Sequence, residues 1–373
     1  MSSRIPIRLL TMGLILAGLC LFFAAASPQF LSPRNLSLLA TELAITASLA
    51  LGMLLVILPG HIDLAAGSGV GLLGGIASVL VFEHRLPAPL ALLAALATGL
   101  LLWRGMGALI IREKIPAFII TLGGLLVFKG LFWLVIHNAT IPVVTGGGTN
   151  LYSLLTTFYI PPTAGLVSAL LLIGTALLLR FLQARSSVDR PAEDTGFLRL
   201  FTGCQCLLLF VLIANQYRGI PLPAVLCGGI AACLWVLTRH TPFGRHLYAI
   251  GGNEEAAVVS GIPVRRVVTM AYTIMGGIVA LTGFMQTAYA GASTTTVGEL
   301  MELDAVAACV IGGVSLKGGR GSVPGVLFGA ALMAALLNGM TLLAFPPELK
   351  FIARGTVLAL AVWLDVRTGR TSG

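Results

Sequence analysis

Charge is what this chain has least of. Asp, Glu, Lys and Arg make up only 10% of its 373 residues, 57% are hydrophobic, and mean hydropathy is +0.98. That excludes an ordinary soluble domain, and the length excludes a protein held by one or two anchors. No Gly-x-x-x-x-Gly-Lys-[Ser/Thr] phosphate loop is present, since Lys114, Lys129, Lys317 and Lys350, the four lysines, all sit in other contexts. The chain therefore has no ATP site of the usual kind. His-Glu-x-x-His, Cys-x-x-Cys and Gly-x-Ser-x-Gly are missing too, and no nucleophile and base pair can be named, so no catalytic residue, metal site or cofactor is expected. The six cysteines (Cys20, Cys204, Cys206, Cys227, Cys233, Cys309) all fall in apolar runs, where they act as small hydrophobes. The surplus of basic residues, a net charge of +9, is scattered between hydrophobic runs. That pattern orients membrane spans and argues against nucleic acid as a partner.

What is present is a series of apolar runs, most of them roughly 15 to 20 residues long, rich in Leu, Ala and Gly. Only helices or closed barrels satisfy their backbone in lipid, and continuous runs of this kind are helices rather than alternating strands. The expected fold is an all-α polytopic membrane protein with about 10–12 transmembrane helices, some short or broken. The first run, Leu9 to Ala26, follows Arg4 and Arg8 and ends in a stretch resembling a signal-peptidase site. Its length and the many spans after it favour a first transmembrane helix with the N-terminus inside. Runs then follow at about 36–58, 69–82, 87–103, 116–136, 163–182, 198–214, 222–238, 267–287, 305–311, 323–343 and 351–364. Alternating sides puts the C-terminus inside as well. Arg104, Arg112 and Lys114 mark an inner connection, as does the polar linker 183–197 with Arg185, Asp189, Arg190, Glu193 and Asp194. Residues 137–161, without Lys or Arg, and 290–303, with Glu299 and Glu302 but no base, read as outer segments.

Two interruptions stand out. After Glu42 in the second run comes Pro59-Gly60-His61-Ile62-Asp63-Leu64-Ala65-Ala66-Gly67-Ser68, and near the end comes Gly312 to Ser322, which holds Ser315 and Lys317. Non-helical backbone at membrane depth is tolerated where it is buried in protein or lines a wet cavity, and ionisable groups there are functional candidates. The two breaks share glycine, β-branched residue, leucine and glycine at equal offsets from Gly60 and Gly312, a weak trace of duplication. Paired interruptions point to a permeation pathway. Glu42, His61, Asp63, Ser315, Lys317 and Asn338 are the pathway candidates; the alternative for each is a polar group that satisfies backbone at a helix break. A tight surface turn is the alternative for the first break as a whole.

The polar island Thr241–Arg266 is the third feature. Asn253 can cap a helix, Glu254 and Glu255 favour its first turn, and Gly261 with Pro263 stops it. The helix is expected to be about two turns long, roughly 10 Å. Arg239, Arg245, Arg265 and Arg266 flank it and place the loop in the cytoplasm. It is either a docking knob for a cytoplasmic partner or an ordinary connection.

The stretches 244–264 (GRHLYAIGGNEEAAVVSGIPV), 302–325 (ELDAVAACVIGGVSLKGGRGSVPG), 115–131 (IPAFIITLGGLLVFKGL), 336–340 (LLNGM) and 358–366 (LALAVWLDV) resemble the permease subunits of bacterial ABC importers for monosaccharides. This is the ribose, xylose, arabinose and galactose group, and the resemblance covers nearly the whole chain. The extra pair of spans near 163–214 and the segment YRGIPLPAVL at 217–226 look like its xylose-type branch. The resemblance implies a type II ABC importer-like permease fold, a single transmembrane domain over 1–373 and a place in the bacterial inner membrane. It implies that loop 241–266 couples to a separate cytoplasmic ATPase through Gly244, Arg245, Gly251, Gly252, Asn253, Glu254, Glu255 and Gly261. It further implies a permease homodimer and a periplasmic sugar-binding protein. The sequence departs from the group's pattern at His61 and Ala65 in the first break, and Lys129 stands where arginine is common. An ion- or proton-coupled carrier with Glu42, Asp63 and Lys129 as gating charges is the alternative.

Overall fold

The computed structural model describes residues 7–144, 148–186 and 194–370. Within them the chain is helical almost throughout: α1 (Ile7–Ala26), α2 (Pro33–Ile57), α3 (Ala66–Phe82), α4 (Ala88–Glu113), α5 (Ala117–Val135), α6 (Leu151–Thr157), α7 (Pro162–Ser186), α8 (Asp194–Ala214), α9 (Leu222–His240), α10 (Pro242–Gly252), α11 (Glu254–Val259), α12 (Val264–Ala290), α13 (Met301–Ile311), α14 (Val323–Leu342) and α15 (Pro347–Arg370). Four two-residue strands pair in loops, β1 (Ile141–Pro142) with β4 (Ala292–Ser293) and β2 (Tyr159–Ile160) with β3 (Ile220–Pro221), both antiparallel. Among the described residues six helices are long and apolar enough to cross a membrane: α2, α4, α5, α9, α12 and α14. α3, parts of α7 and α8, and the described part of α1 are shorter apolar helices. α15 carries Glu348, Lys350, Arg354 and Arg367 and is not among the six.

α2 is the axis of the bundle. Its second half, from Ala47 to Leu58, is buried on every side, so it is apolar all round rather than on one stripe. α12 packs along α4, α3 and α2. The approach to α4 is set by glycine: a methyl at Gly276 would fall on the Gly99 carbonyl, so the helices meet backbone to backbone, as small residues allow in membrane interfaces. α7 and α8 pack mainly on each other around Ala169, Val211, Ala214 and Ile220, a cluster apart from the main core.

Several boundaries differ from expectation. α4 continues through Arg104 and Arg112 to Glu113, so the basic connection shrinks to Lys114–Pro116. Good helix formers with no glycine or proline after Gly107 let it extend beyond the apolar run. Residues 137–161 contain α6, capped by Asn150, which accepts from the Ser153 N–H at 2.9 Å. Residues 290–303 do not form a simple outer segment, because α13 starts at Met301 and Gly298 lies against Gly67 of α3. With eleven residues α13 is about 16 Å long, half of a span. Of the linker 183–197, residues 187–193 lie outside the described residues, and the rest belongs to α7 and α8.

Candidate functional site

The polar island folds as two helices rather than one. Thr241 caps α10, accepting from the Gly244 N–H at 3.3 Å. Asn253 then caps α11, its side chain accepting from the Ala256 N–H at 2.9 Å. Gly261 (φ +80°) turns the chain out of α11, the left-handed conformation expected of a helix stop. Leu247, Ile250 and Ala257 face the bundle and are buried, whereas Arg245, Gly252, Asn253, Glu254, Glu255 and Gly261 are exposed. Val258 and Val259 are exposed as well, Val259 by 88%. Two bare valines on a six-residue helix in a polar loop are unpartnered apolar surface.

The inner side of this element is built from backbone. Both helix breaks exist, between Ile57 and Ala66 and between Ile311 and Val323, and they touch. The Gly319 N–H donates to the Leu58 carbonyl at 2.9 Å, and the Lys317 carbonyl lies against Gly60. Gly251 of α10 sits on this junction: a methyl there would strike the Leu58 carbonyl and the backbone of Gly318 and Gly319. Gly60, Gly318 and Gly319 all hold positive φ, which larger residues adopt only with strain. The Tyr248 hydroxyl of α10 donates to the Gly321 carbonyl at 2.9 Å, and burial pushes this phenol up, so it stays a neutral donor. The end of α10, and with it the start of α11, is thus clasped to both breaks at once.

Beside the clasp a half-open cleft of about 1030 Å³ lies between α11, the α4–α5 connection and the first break. His61, Ile111, Lys114, Glu254 and Val259 are among its walls. The His61 Nδ1 is buried without a hydrogen-bond partner among the described residues, and its ring stands edge-on to Tyr272 at 6.1 Å between centroids. Asp63 is fully buried and taken up by the chain: Trp103 Nε1 donates to one oxygen at 2.6 Å and the Ala65 N–H to the other at 2.9 Å. Ser315 closes the second break, its N–H donating to the Arg320 carbonyl and its carbonyl accepting from Gly318, while Lys317 is exposed.

The remaining two pathway candidates lie elsewhere. Glu42 is fifteen residues from Ile57 along α2, roughly 22 Å. Its carboxylate accepts from Tyr289 Oη at 2.9 Å and from Asn338 Nδ2 at 3.1 Å, and Asn338 in turn accepts from Asn35 Nδ2 at 3.0 Å. The six candidates therefore form two clusters, one at the C-terminal end of α2 and one beside its N-terminal half. Lys129, the third charge of the carrier alternative, pairs with Glu299 at 3.9 Å. Missed from sequence were Leu58, Gly318, Tyr248 and Tyr289; a tyrosine in a polar loop was the one available signal, since main-chain contacts leave none.

Sequence comparison agrees with this architecture. The sequence model of the family described as branched-chain amino acid transport system / permease component matches residues 35–362, and the chain belongs to that family. It is 37% identical over 369 residues to the xylose transport system permease protein XylH of Haemophilus influenzae, covering 98% of this chain and 96% of that one. The protein of the same name in Escherichia coli K12 is 36% identical over 362 residues, 96% and 91% of the two chains. The ribose import permease protein RbsC of Bacillus subtilis is 33% identical over 347 residues, 93% and 89%. No solved structure matches.

Proposed function

We propose that this permease is the membrane-spanning subunit of an ATP-driven monosaccharide importer of the bacterial inner membrane, with a pentose, D-xylose first, as cargo. Full-length similarity to xylose transport permeases supports the cargo class. The observation that carries the mechanism is the clasp, which links an exposed, capped helix to both helix breaks through main-chain contacts.

In this reading loop 241–266 lies in the cytoplasm with the linker 183–197 and both termini, and a separate ATPase seats on it. Glu254, Glu255, Val258 and Val259 meet the ATPase, Gly252 lets it approach, and Arg245 and Gly261 bound the contact. Gly244 and Gly251 hold α10 to the bundle. ATP binding and hydrolysis supply the differential free energy between inward- and outward-open states, and the permease converts it into motion at the breaks. Two copies enclose the pathway, and a periplasmic binding protein delivers the sugar to the opposite face. His61, Ser315 and Lys317 lie at the inner mouth, and Glu42 with Asn338 at the outer one, while Asp63 acts as a strut.

The test is radiolabelled D-xylose uptake into proteoliposomes that hold the chain, its ATPase and its binding protein, with ATP inside and no ion gradient. Uptake that needs internal ATP and the binding protein is expected. Uptake by the chain alone, driven by a proton gradient, would overturn the reading in favour of a carrier.

A further inference from the structure

A second, smaller cavity lies part-way along the bundle, where the structure leaves two helix starts without side-chain caps. α13 ends at the second break beside the clasp, so its start at Met301 is about 16 Å away, near mid-span. The first turn of α3 lies at the same level, since a methyl at Gly67 would fall on the Glu302 carboxylate and the Gly298 carbonyl. Neither the cap residue Ala65 of α3 nor Leu300 of α13 offers a side-chain hydrogen bond to its helix. Between them is a cavity of about 140 Å³ lined by Ser68, Lys129, Phe132, Thr295, Glu299 and Glu302. This is room for roughly five water molecules at their liquid volume.

Three observations make it a solute site rather than a packing gap. Glu302 is only 5% exposed, yet among the described residues no side chain donates to its carboxylate, which its own backbone N–H reaches. A buried carboxylate with so few donors is costly unless a ligand or water supplies more. Lys129 and Glu299, by contrast, are 42% and 47% exposed although they lie alongside a membrane helix. A half-exposed ion pair at that depth does not face hydrocarbon; it faces water or a polar solute. Finally, the chain from Thr294 to Leu300 is non-helical here, pinned by Trp133 Nε1 donating to the Thr295 carbonyl at 3.3 Å and by Gly298 (φ +85°) against Gly67. Ordered irregular backbone at membrane depth is the kind that lines a cavity.

We propose that this cavity is the intramembrane binding site for the transported polyhydroxylated solute. The inference rests on the importer reading and names the site that reading lacks. An ammonium and the N–H groups at the start of α3 donate, two carboxylates and a hydroxyl accept, and Phe132 offers an apolar face; the first N–H groups of α13 are already taken by the Gly298 and Leu300 carbonyls. A sugar presents matching hydroxyls, each donor and acceptor, on a ring with an apolar face. An anion is disfavoured because two carboxylates meet one ammonium.

The assay is the proteoliposome system with Glu302→Gln and Lys129→Met, reading uptake of D-xylose and ribose together with ATP hydrolysis. Uptake is expected to fall by about tenfold or more, the scale of a lost charge-assisted hydrogen bond, with a changed xylose to ribose ratio. Stimulation of hydrolysis by loaded binding protein is expected to persist. Unchanged uptake and an unchanged ratio in both variants would overturn the site. Ser68→Cys, close to isosteric, gives a reading without transport: a membrane-impermeant thiol reagent should label it in the chain alone, and saturating xylose, but not sodium chloride, should slow labelling. Labelling indifferent to sugar, or a Ser68→Cys cross-link to a second copy, would overturn the site. Sugar protection in a chain whose wild type shows no ATP-dependent uptake would keep the site and reject the importer reading.

Discussion

The two halves of α2 hold polar clusters made from different materials. At the α10–α11 end the clasp is backbone: the Leu58 carbonyl, the Gly319 N–H, and Gly251 wedged where no Cβ fits. In the other half Glu42, Tyr289, Asn338 and Asn35 meet through side chains from α2, α12 and α14. A backbone contact has no rotamer to absorb a displacement, so movement of α10 is carried directly into both breaks. A side-chain network can exchange partners or admit water while its helices move. The clasp suits a rigid link, and the network suits a place that opens.

The largest expected effect breaks the clasp. Gly251→Ala puts a methyl onto three backbone groups, none of which can rotate away, and overpacking of this kind costs about 1–3 kcal/mol. Gly228 on α9 is the control, since a methyl there meets nothing within 4 Å. Gly251→Ala should insert normally yet lose ATP-dependent uptake, while Gly228→Ala should transport like the parent. Equal activity of the two variants in proteoliposomes would remove the clasp from the mechanism.

The next effect tests the side-chain half. Asn338→Leu strips one of two donors from the Glu42 carboxylate and an acceptor from Asn35. A lost hydrogen bond to a charged group costs about 1.5–3 kcal/mol. Thermal unfolding in detergent should begin at lower temperature, and Glu42→Gln, which can still accept, should cost less. If the two variants melt alike, the carboxylate charge is not what the network holds.

How far such features can be read in advance differs between the two halves. Apolar runs and basic residues located the helices because burial in lipid is written in composition, and both breaks were legible from glycine, proline and charge. Asn253, Glu254 and Gly261 announced α11 because capping is local. The contact between the breaks was not legible, since main-chain contacts across about 260 residues leave no side-chain signature. The apparent repeat misled in detail: Gly60 turns at φ +91°, whereas its aligned partner Gly312 is helical at φ −64°, and the turn falls on Gly313 at +90°. Glu299 and Glu302 read as an outer segment because sequence gives no depth; only the packing of Gly298 on Gly67 brings them inward.

The smallest effect sharpens the comparison at its outer surface. Asn253→Ala removes the only side-chain cap of α11 and should cost about 1 kcal/mol, borne by a helix too short to be stable alone. Because α11 touches the bundle mainly through Ala257, the melting temperature of the permease should scarcely move. Copurification of the ATPase should fall instead, and Asn253→Asp, which also caps, should restore it. A drop in both measurements would mean that α11 is part of the clasp; a drop in copurification alone would separate the helix that meets the partner from the backbone that carries its motion inward.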